Sequence, residues 1–369
     1  MEDESDHVAH VSNCTHHVRS ATHAGPSDLD WIGVMERYVL VYGAYGHTGR
    51  FVVGELLRQG LTPILSGRNP AKLGEMARQF PGLEIRPATV DDVQSLETAV
   101  RGAEVVVNCA GPFLDTAVPI AAASVRAGAH YLDVTAEQSA VQEMYRAHEE
   151  LAWRTDVAVI PAMAFYGGLA DLLATTAAAG WETVDAITVA IGLDRWWPTE
   201  GTRNTGRRNT ATRLVVDDGR LVPAPSPAPR REWDFARPLG RQAVVGSPFA
   251  EVITMTRHLV AARIDTYLAT VALEDIRNPG TPAPQAVDEA GRSAQQFAVD
   301  VVVRRGEQER RMSAAGRDIY AVTAPLVVEA ARRLIDGRAK VHGAAAPGEA
   351  FDAADFLDAL SPRYLTIRR

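Results

Sequence analysis

The stretch "GAYGHTG" places Gly43, Gly46 and Gly49 in a G-x-x-G-x-x-G spacing, between the apolar run "YVLVY" and the helical pattern "TGRFVVGELLRQG". Glycines so placed suit phosphate binding. The first lets a strand turn sharply, the second lets backbone approach a pyrophosphate, and the third lets the next helix lie close on the sheet. The helix start then offers free N–H groups and the positive end of its dipole to the phosphates. Tyr45, His47 and Thr48 are expected beside the glycines in that cradle. The commoner dinucleotide spacing is G-x-G-x-x-G, so the position between strand and helix carries the reading.

The run "ILSGRNPAKL" reports on the cofactor. A carboxylate about 20 residues past the glycines binds the ribose 2′-hydroxyl of NAD. Ser66, Arg68 and Asn69 stand here instead, with no acid, and Lys72 follows one helical turn on. A guanidinium pairs with a 2′-phosphate through its planar fork, so NADP is the expected cofactor. Asp91, in "TVDD", is placed to reach the adenine. Asn108, Cys109, Ala110, Gly111 and Pro112, in "NCAGPF", are small enough to let the nicotinamide and its ribose lie against backbone. Cys109 has no visible activating neighbour and reads as a buried thiol.

Hydride transfer needs a proton donor or an oxyanion site as well. The segment "AHYLDVTAEQ" offers His130, Tyr131, Asp133 and Glu137. Tyr131 and Asp133 would share one face of a strand and are the leading catalytic pair. His258 in "TMTRHL" is a second candidate acid, with Arg257 as a carboxylate anchor. The run "GTRNTGRRNTATR" holds Arg203, Arg207, Arg208 and Arg213, which could dock an anionic substrate or carrier arm bidentately. Trp196 and Trp197 precede it and could wall the site.

Several chemistries are excluded by what is missing. The residues four before the two lysines, Lys72 and Lys340, are Arg68 and Asp336, so there is no Tyr-x-x-x-Lys pair. Cysteine ligands for a structural zinc and a G-x-S-x-G elbow are also missing. No metal site is expected. His7, His10, His16, His17 and His23 lie in a segment with nothing to fix their geometry.

The elements that must position these residues follow from pattern. The chain has 369 residues, 46% apolar and 23% charged, as in globular proteins. A net charge of −8 argues against nucleic acid or an anionic membrane as partner. No apolar run is long enough to span a bilayer, and the acidic N-terminus lacks the apolar stretch of a secretory signal. A cytoplasmic address is the expectation. Residues 1–36 read as a disordered arm. Over 37–184, strand candidates at 38–42, 63–66, 83–87, 105–109, 131–134 and 157–161 alternate with helical stretches, predicting a doubly wound parallel sheet. Over 185–315 longer strands predict a second α/β domain with an antiparallel sheet, including a hairpin at Asp217–Gly219. Residues 316–369 read as closing helices that return to the first domain.

The residues "GAYGHTGRFVVGELL…ILSGRNPAKL…VVVNCAGPF…AASVRAGAHYLDVTAE" resemble the saccharopine dehydrogenase-like family of NADP-binding oxidoreductases. The resemblance covers most of the chain beyond the arm and is most specific over about 38–175. It implies an NADP domain, an inserted substrate domain, closing helices and a homodimer. The family includes saccharopine reductases and enoyl reductases acting in trans on carrier-bound chains. One departure is "PAMAFYGGLADLL", which lacks the family's proline–serine before Asp171. The leading expectation is an NADP(H)-dependent oxidoreductase acting on a C=N or secondary amine bond of a small, anionic, amino-acid-like substrate. Enoyl reduction on a carrier-bound or thioester substrate is the second, and a non-catalytic NADP sensor or scaffold the third. An apolar tunnel beside the nicotinamide would favour the enoyl reading, and converging arginines the amino-acid reading.

Overall fold

The computed structural model describes residues 37–153 and 156–369. The expected disordered arm, with its five histidines, lies outside the described residues.

Six strands alternate with five helices from the start: β1 (Tyr38–Tyr42), α1 (His47–Arg58), β2 (Thr62–Gly67), α2 (Pro70–Gln79), β3 (Ile85–Pro87), α3 (Val93–Val100), β4 (Val105–Asn108), α4 (Phe113–Arg126), β5 (His130–Asp133), α5 (Gln138–Trp153) and β6 (Ala158–Ile160). Local chemistry sets several boundaries. Asn69 caps α2 by accepting from Lys72 N, with Pro70 in the first turn. Asp92 caps α3 through Gln94 N and Ser95 N. An irregular turn over Phe165–Leu169 leads into α6 (Ala170–Ala177).

A second set of elements follows: β7 (Thr183–Leu193), α7 (Glu200–Arg208), β8 (Leu214–Asp217), β9 (Arg220–Pro223), β10 (Arg230–Asp234), β11 (Arg241–Gly246), α8 (Ala250–Thr256), β12 (Val260–Ala269), α9 (Thr270–Arg277), β13 (Gln296–Arg305) and β14 (Gln308–Arg317). The chain ends with α10 (Thr323–Ile335), β15 (Gly343–Ala344), α11 (Pro347–Ala350), α12 (Ala353–Leu360) and β16 (Leu365–Arg368).

The first sheet has the order β15-β6-β5-β4-β1-β2-β3 and is parallel throughout. Strand order reverses between β1 and β4, and ligands of such sheets bind in the crevice outside the strand ends at that point. Register brings the two loops together there, because Tyr42 lies opposite both Ser66 and Asn108.

The second sheet runs β10-β11-β12-β7-β13-β14-β16, with the β8–β9 hairpin attached to β12. Most pairs are antiparallel, as expected, but β7 and β12 run parallel in its middle. That pairing needs a long crossover rather than a turn, and α7, four strands and α8 fill it. Asp218 and Gly219 both take positive φ, 47° and 69°, as a two-residue hairpin turn requires. One apolar cluster joins β1 and α1 to α6, β7, β13 and α10, so the sheets share a core. Helix α10 packs on α1 and β4, whereas β16 joins the second sheet rather than the first. No described helix is long and apolar enough to cross a membrane.

Candidate active site

A cleft of about 660 Å³ opens at the carboxyl ends of β1 and β4. Gly43, Tyr45, Gly46, His47, Thr48, Arg68, Asp91, Cys109, Ala110 and Gly111, all expected to bind the cofactor, line it.

The glycine turn is built as its spacing implied. Gly43 has φ +81°, and a Cβ there would sit 2.9 Å from the Ala110 Cβ, so side chain and conformation are both refused. Gly43 N and Ala44 N donate to Ser66 O at 2.9 and 3.1 Å, which fixes the turn to β2. Gly46 is the N-cap of α1, whose first N–H groups therefore start at the cleft. Gly49 does not line the cleft. It lets α1 press on the turn, since a Cβ there would lie 2.3 Å from Gly43 O and 2.8 Å from Ala44 O.

At the far end of β2, Arg68 and Lys72 are exposed on the cleft wall. The Lys72 ammonium lies 5.8 Å from the Tyr45 ring centroid. The Arg68 guanidinium makes no hydrogen bond or ion pair to protein among the described residues, so its donors are open to a ligand.

Four expected cofactor residues act behind the cleft rather than in it. The Ser66 hydroxyl donates to Arg86 O (2.7 Å), and Asn69 is spent on the α2 cap. The buried Asn108 side chain ties Ala110 N to Tyr131 and Thr116. Pro112 is the N-cap of α4. Burial, with Asp133 nearby, pushes the Cys109 thiol up, so it stays protonated and inert.

The expected catalytic pair is corrected. Tyr131 and Asp133 are both fully buried and do not line the cleft. Tyr131 donates to Asp133 Oδ2 at 3.1 Å, and Asp133 Oδ1 accepts from Thr135 N (3.0 Å) and Ala162 N (2.8 Å). Asp133 therefore fastens the loops after β5 and β6. His130, at the other end of β5, accepts from Ala158 N and is equally remote.

His258 and Arg257 also lie elsewhere. His258 Nε2 is 2.7 Å from Asp171 Oδ1, whose other oxygen accepts from Gly348 N. Burial alone would lower the His258 pKa, but the Asp171 carboxylate outweighs it and the net shift is upward. Arg257 donates to Ala344 O and stacks over Tyr145. This cluster joins α6, α8 and α11, and neither Arg257 nor His258 lines the cleft.

Most of the arginine run is helix α7, and the helix turns three of its arginines away from the cleft. Thr199 caps α7 through Thr202 N. Thr202, Thr205, Gly206 and Asn209 then face the cleft, at helical spacing. Arg203, Arg207 and Arg208 face away. Arg203 donates to Thr281 O at 2.7 Å, Arg207 contacts Asn204, and Arg208 pairs with Asp115 of α4. Exposed pairs of this kind contribute about 0–1 kcal/mol. Arg207→Ala is accordingly expected to leave substrate KM within about twofold in steady-state assays, and a tenfold rise would show that this face does touch substrate.

Beyond the cofactor crevice the walls are aromatic. Tyr166 packs between Trp196 (5.3 Å, stacked) and Phe249 (4.4 Å), with Phe113, Ile276 and Ile319 nearby on the wall. Gly167, at φ +109°, makes the bend that presents Tyr166, and a Cβ there would meet Ala162 O at 2.7 Å. Trp196 Nε1 donates to Tyr320 OH at 2.9 Å. Arg213 alone of the arginine run reaches the wall, with its guanidinium 5.0 Å over the Phe249 ring. Trp196 was foreseen here; Tyr166, Phe249 and Tyr320 were not, since each reads as core until the bend at Gly167 is known.

Glu137, also on the wall, is 1% exposed. Its Oε1 accepts from Phe113 N at 2.9 Å, while Oε2 has no partner. Burial raises its pKa.

A doubly wound sheet with a phosphate turn at its switch point, and a lined crevice continuing past it, has the form of a nicotinamide-dinucleotide-binding domain. Over its first sheet the chain is similar to the saccharopine dehydrogenase-like family. Residues 39–160 match the family model "Saccharopine dehydrogenase NADP binding domain". The chain is 33% identical over 151 residues to "Lipid droplet localized protein" of Caenorhabditis elegans, covering 37% of this chain and 35% of that protein. It is 30% identical over 142 residues to an Arabidopsis thaliana protein named "Probable mitochondrial saccharopine dehydrogenase-like oxidoreductase", covering 34% and 31%. The match thus spans about a third of these curated relatives' length. The fold is that of apo saccharopine dehydrogenase (L-Glu forming) from Saccharomyces cerevisiae, with a TM-score of 0.64 at 11% identity over 90% of this chain and 99% of that one. The expected cytoplasmic address is withdrawn, because these two relatives are named for lipid droplets and mitochondria.

Proposed function

We propose that the protein is an NADP(H)-dependent reductase of a polarised double bond, with an α,β-unsaturated thioester or ketone of apolar body as substrate. The observation that carries this reading is the wall of Tyr166, Trp196, Phe249 and Phe113 continuing from the cofactor crevice, with Arg203, Arg207 and Arg208 turned outward. Apolar walls with a few polar groups suit such a ligand. The family resemblance, which includes enoyl reductases acting on carrier-bound chains, supports it. A second reading, reduction of C=N on an amino-acid-like substrate, rests on Arg213, which could hold a carboxylate at the same wall. A homodimer and a carrier protein as substrate donor belong to the proposal as expectations.

NADP is favoured over NAD by Arg68 and Lys72 at the end of β2, where no carboxylate stands. Titrating wild type and Arg68→Ala with NADPH and NADH tests this. Loss of a charge-assisted contact of about 2 kcal/mol weakens NADPH binding roughly 30-fold and leaves NADH nearly unchanged. Equal affinities for the two cofactors in wild type would sink the assignment. The reaction is tested by NADPH oxidation with trans-2-enoyl thioesters of four to twelve carbons, against mixtures of primary amines with 2-oxo acids. Turnover that rises with acyl length supports the proposal, and turnover only with amine and oxo acid replaces it with the second reading.

A further inference from the structure

Buried side-chain polar atoms without a partner are rare in folded proteins, and each asks for an explanation. Among the described residues eight such atoms occur, and four belong to residues lining the one cleft: His47 Nε2, Glu137 Oε2, Ser139 Oγ and Tyr166 OH. Their common position points to a ligand that completes them.

The four differ in what they can do. His47 stands at the first turn of α1, beside the phosphate turn, and its ring is edge-on to Phe51 and Tyr320 at 5.3 Å. Burial lowers its pKa, so it is a neutral donor or acceptor on the cofactor side. Burial holds the Tyr166 phenol well above its usual range, so it donates a hydrogen bond without losing its proton. Ser139 is a hydroxyl of no acidity. Glu137 is the one carboxyl of the set, and burial raises its pKa, which favours the protonated form.

Its setting prepares it for that. Phe113 N fixes Oε1 at the start of α4, immediately after the Cys109–Gly111 loop that borders the crevice, and Oε2 is left buried without a protein partner in a residue that lines the cleft. After burial itself, the charged groups that act on it are Asp133 at the end of β5, Asp115 on α4 and Arg208 on α7. Both carboxylates oppose a third negative charge. Arg208 favours one, but its guanidinium is already paired with Asp115.

We propose that Glu137 is the proton donor of this site. The step rests on the reductase reading given above. The glycine turn with Arg68 and Lys72 would hold NADPH, which would supply a hydride to the β-carbon of the conjugated substrate, leaving NADP⁺. The C=C π pair shifts to form an enolate, and the carboxylic proton of Glu137 passes to the α-carbon. One π bond breaks, two C–H bonds form, and the substrate gains two electrons. The Glu137 carboxylate then recovers a proton from water.

Glu137→Gln keeps an oxygen for Phe113 N and loses the transferable proton. With trans-2-octenoyl-coenzyme A as probe, it is expected to lower kcat at least 100-fold, within the range for general acids, while NADPH affinity and Tm stay as in wild type. Wild-type kcat falls as pH rises through the Glu137 pKa, because the acid is then ionised, and the residual rate of the variant does not. A kcat within threefold of wild type overturns the proposal. A second measurement does not depend on turnover: infrared difference spectra of NADPH-bound wild type minus Glu137→Gln at neutral pH. A protonated-carboxyl band that disappears at high pH supports the donor. No such band overturns it, even where the probe is reduced. If the probe is not reduced but the band is present, the reductase reading fails and the buried acid stands.

Discussion

Gly49→Ala is expected to disable cofactor binding and to cost the fold several kcal/mol. The new Cβ would lie 2.3 Å from Gly43 O and 2.8 Å from Ala44 O, both backbone atoms of the phosphate turn. Overpacking costs about 1–3 kcal/mol where side chains can yield, and occasionally more. Here the turn itself must move, and it is held by two hydrogen bonds to Ser66 O. The gain in helix propensity from replacing glycine, about 1 kcal/mol, opposes this only in part. Chemical denaturation and NADPH titration of the same preparation check both effects. Wild-type stability together with wild-type affinity would show that α1 does not depend on this close approach. Gly46→Asp makes a useful contrast, because it places negative charge beside the expected phosphates with a milder approach, its Cβ lying 3.1 Å from Gly43 O.

Asp133→Ala is expected to lose about 3 kcal/mol or more of stability. It strands Thr135 N, Ala162 N and the Tyr131 hydroxyl in the interior, and each stranded group costs about 1–3 kcal/mol. A catalytic role for the pair would instead lower kcat in a fully stable protein. The milder Asp133→Asn carries a pH signature. Burial raises Asp133 to about 6, against the pull of its N–H donors. The native state therefore holds this proton more tightly than the unfolded chain. The resulting stability is present in full below the unfolded value of about 3.8 and is lost as pH rises through about 6. Urea midpoints measured from pH 4 to 7 should fall less steeply in the Asn variant than in wild type. Parallel slopes would remove Asp133 as the source.

What sequence reveals here follows the range of the interaction. The first sheet was readable because each strand and helix carries its own signal: β-rich runs such as "YVLVY", caps such as Asn69 before Pro70, and glycines between them. The Asp218–Gly219 hairpin is equally local. The parallel pairing of β7 with β12 is not, since some 70 residues separate them and nothing in either strand names its partner.

Within the site, the glycine turn was legible and the aromatic wall was not. Helix α7 has no buried residue, so hydropathy does not announce it. Its signal was Thr199 as cap and the small residues at 202, 205, 206 and 209, whose spacing turns Arg203 and Arg207 outward. In "AHYLDVTAEQ", four residues could have given the proton. The choice among them depends on where β5 ends: Asp133 is its last residue and turns back into the protein, while Glu137 begins beyond the loop. Arg257 and His258 carried the right chemistry in the wrong place, fixed by Asp171 and α11, which no spacing links to them.

The pairing of β15 with β6 and of β16 with β14 has a consequence for the order of events during synthesis. Residues 343–344 cover one edge of the first sheet, and 365–368 one edge of the second. A growing chain emerges with both edges bare, and α10, which the shared core requires, is absent until residue 335 has left the ribosome. Neither sheet can therefore reach its final form well ahead of the other. The protein is expected to acquire protease resistance late and in one step, with chains halted near residue 320 open to digestion along their whole length and to strand exchange at both exposed edges.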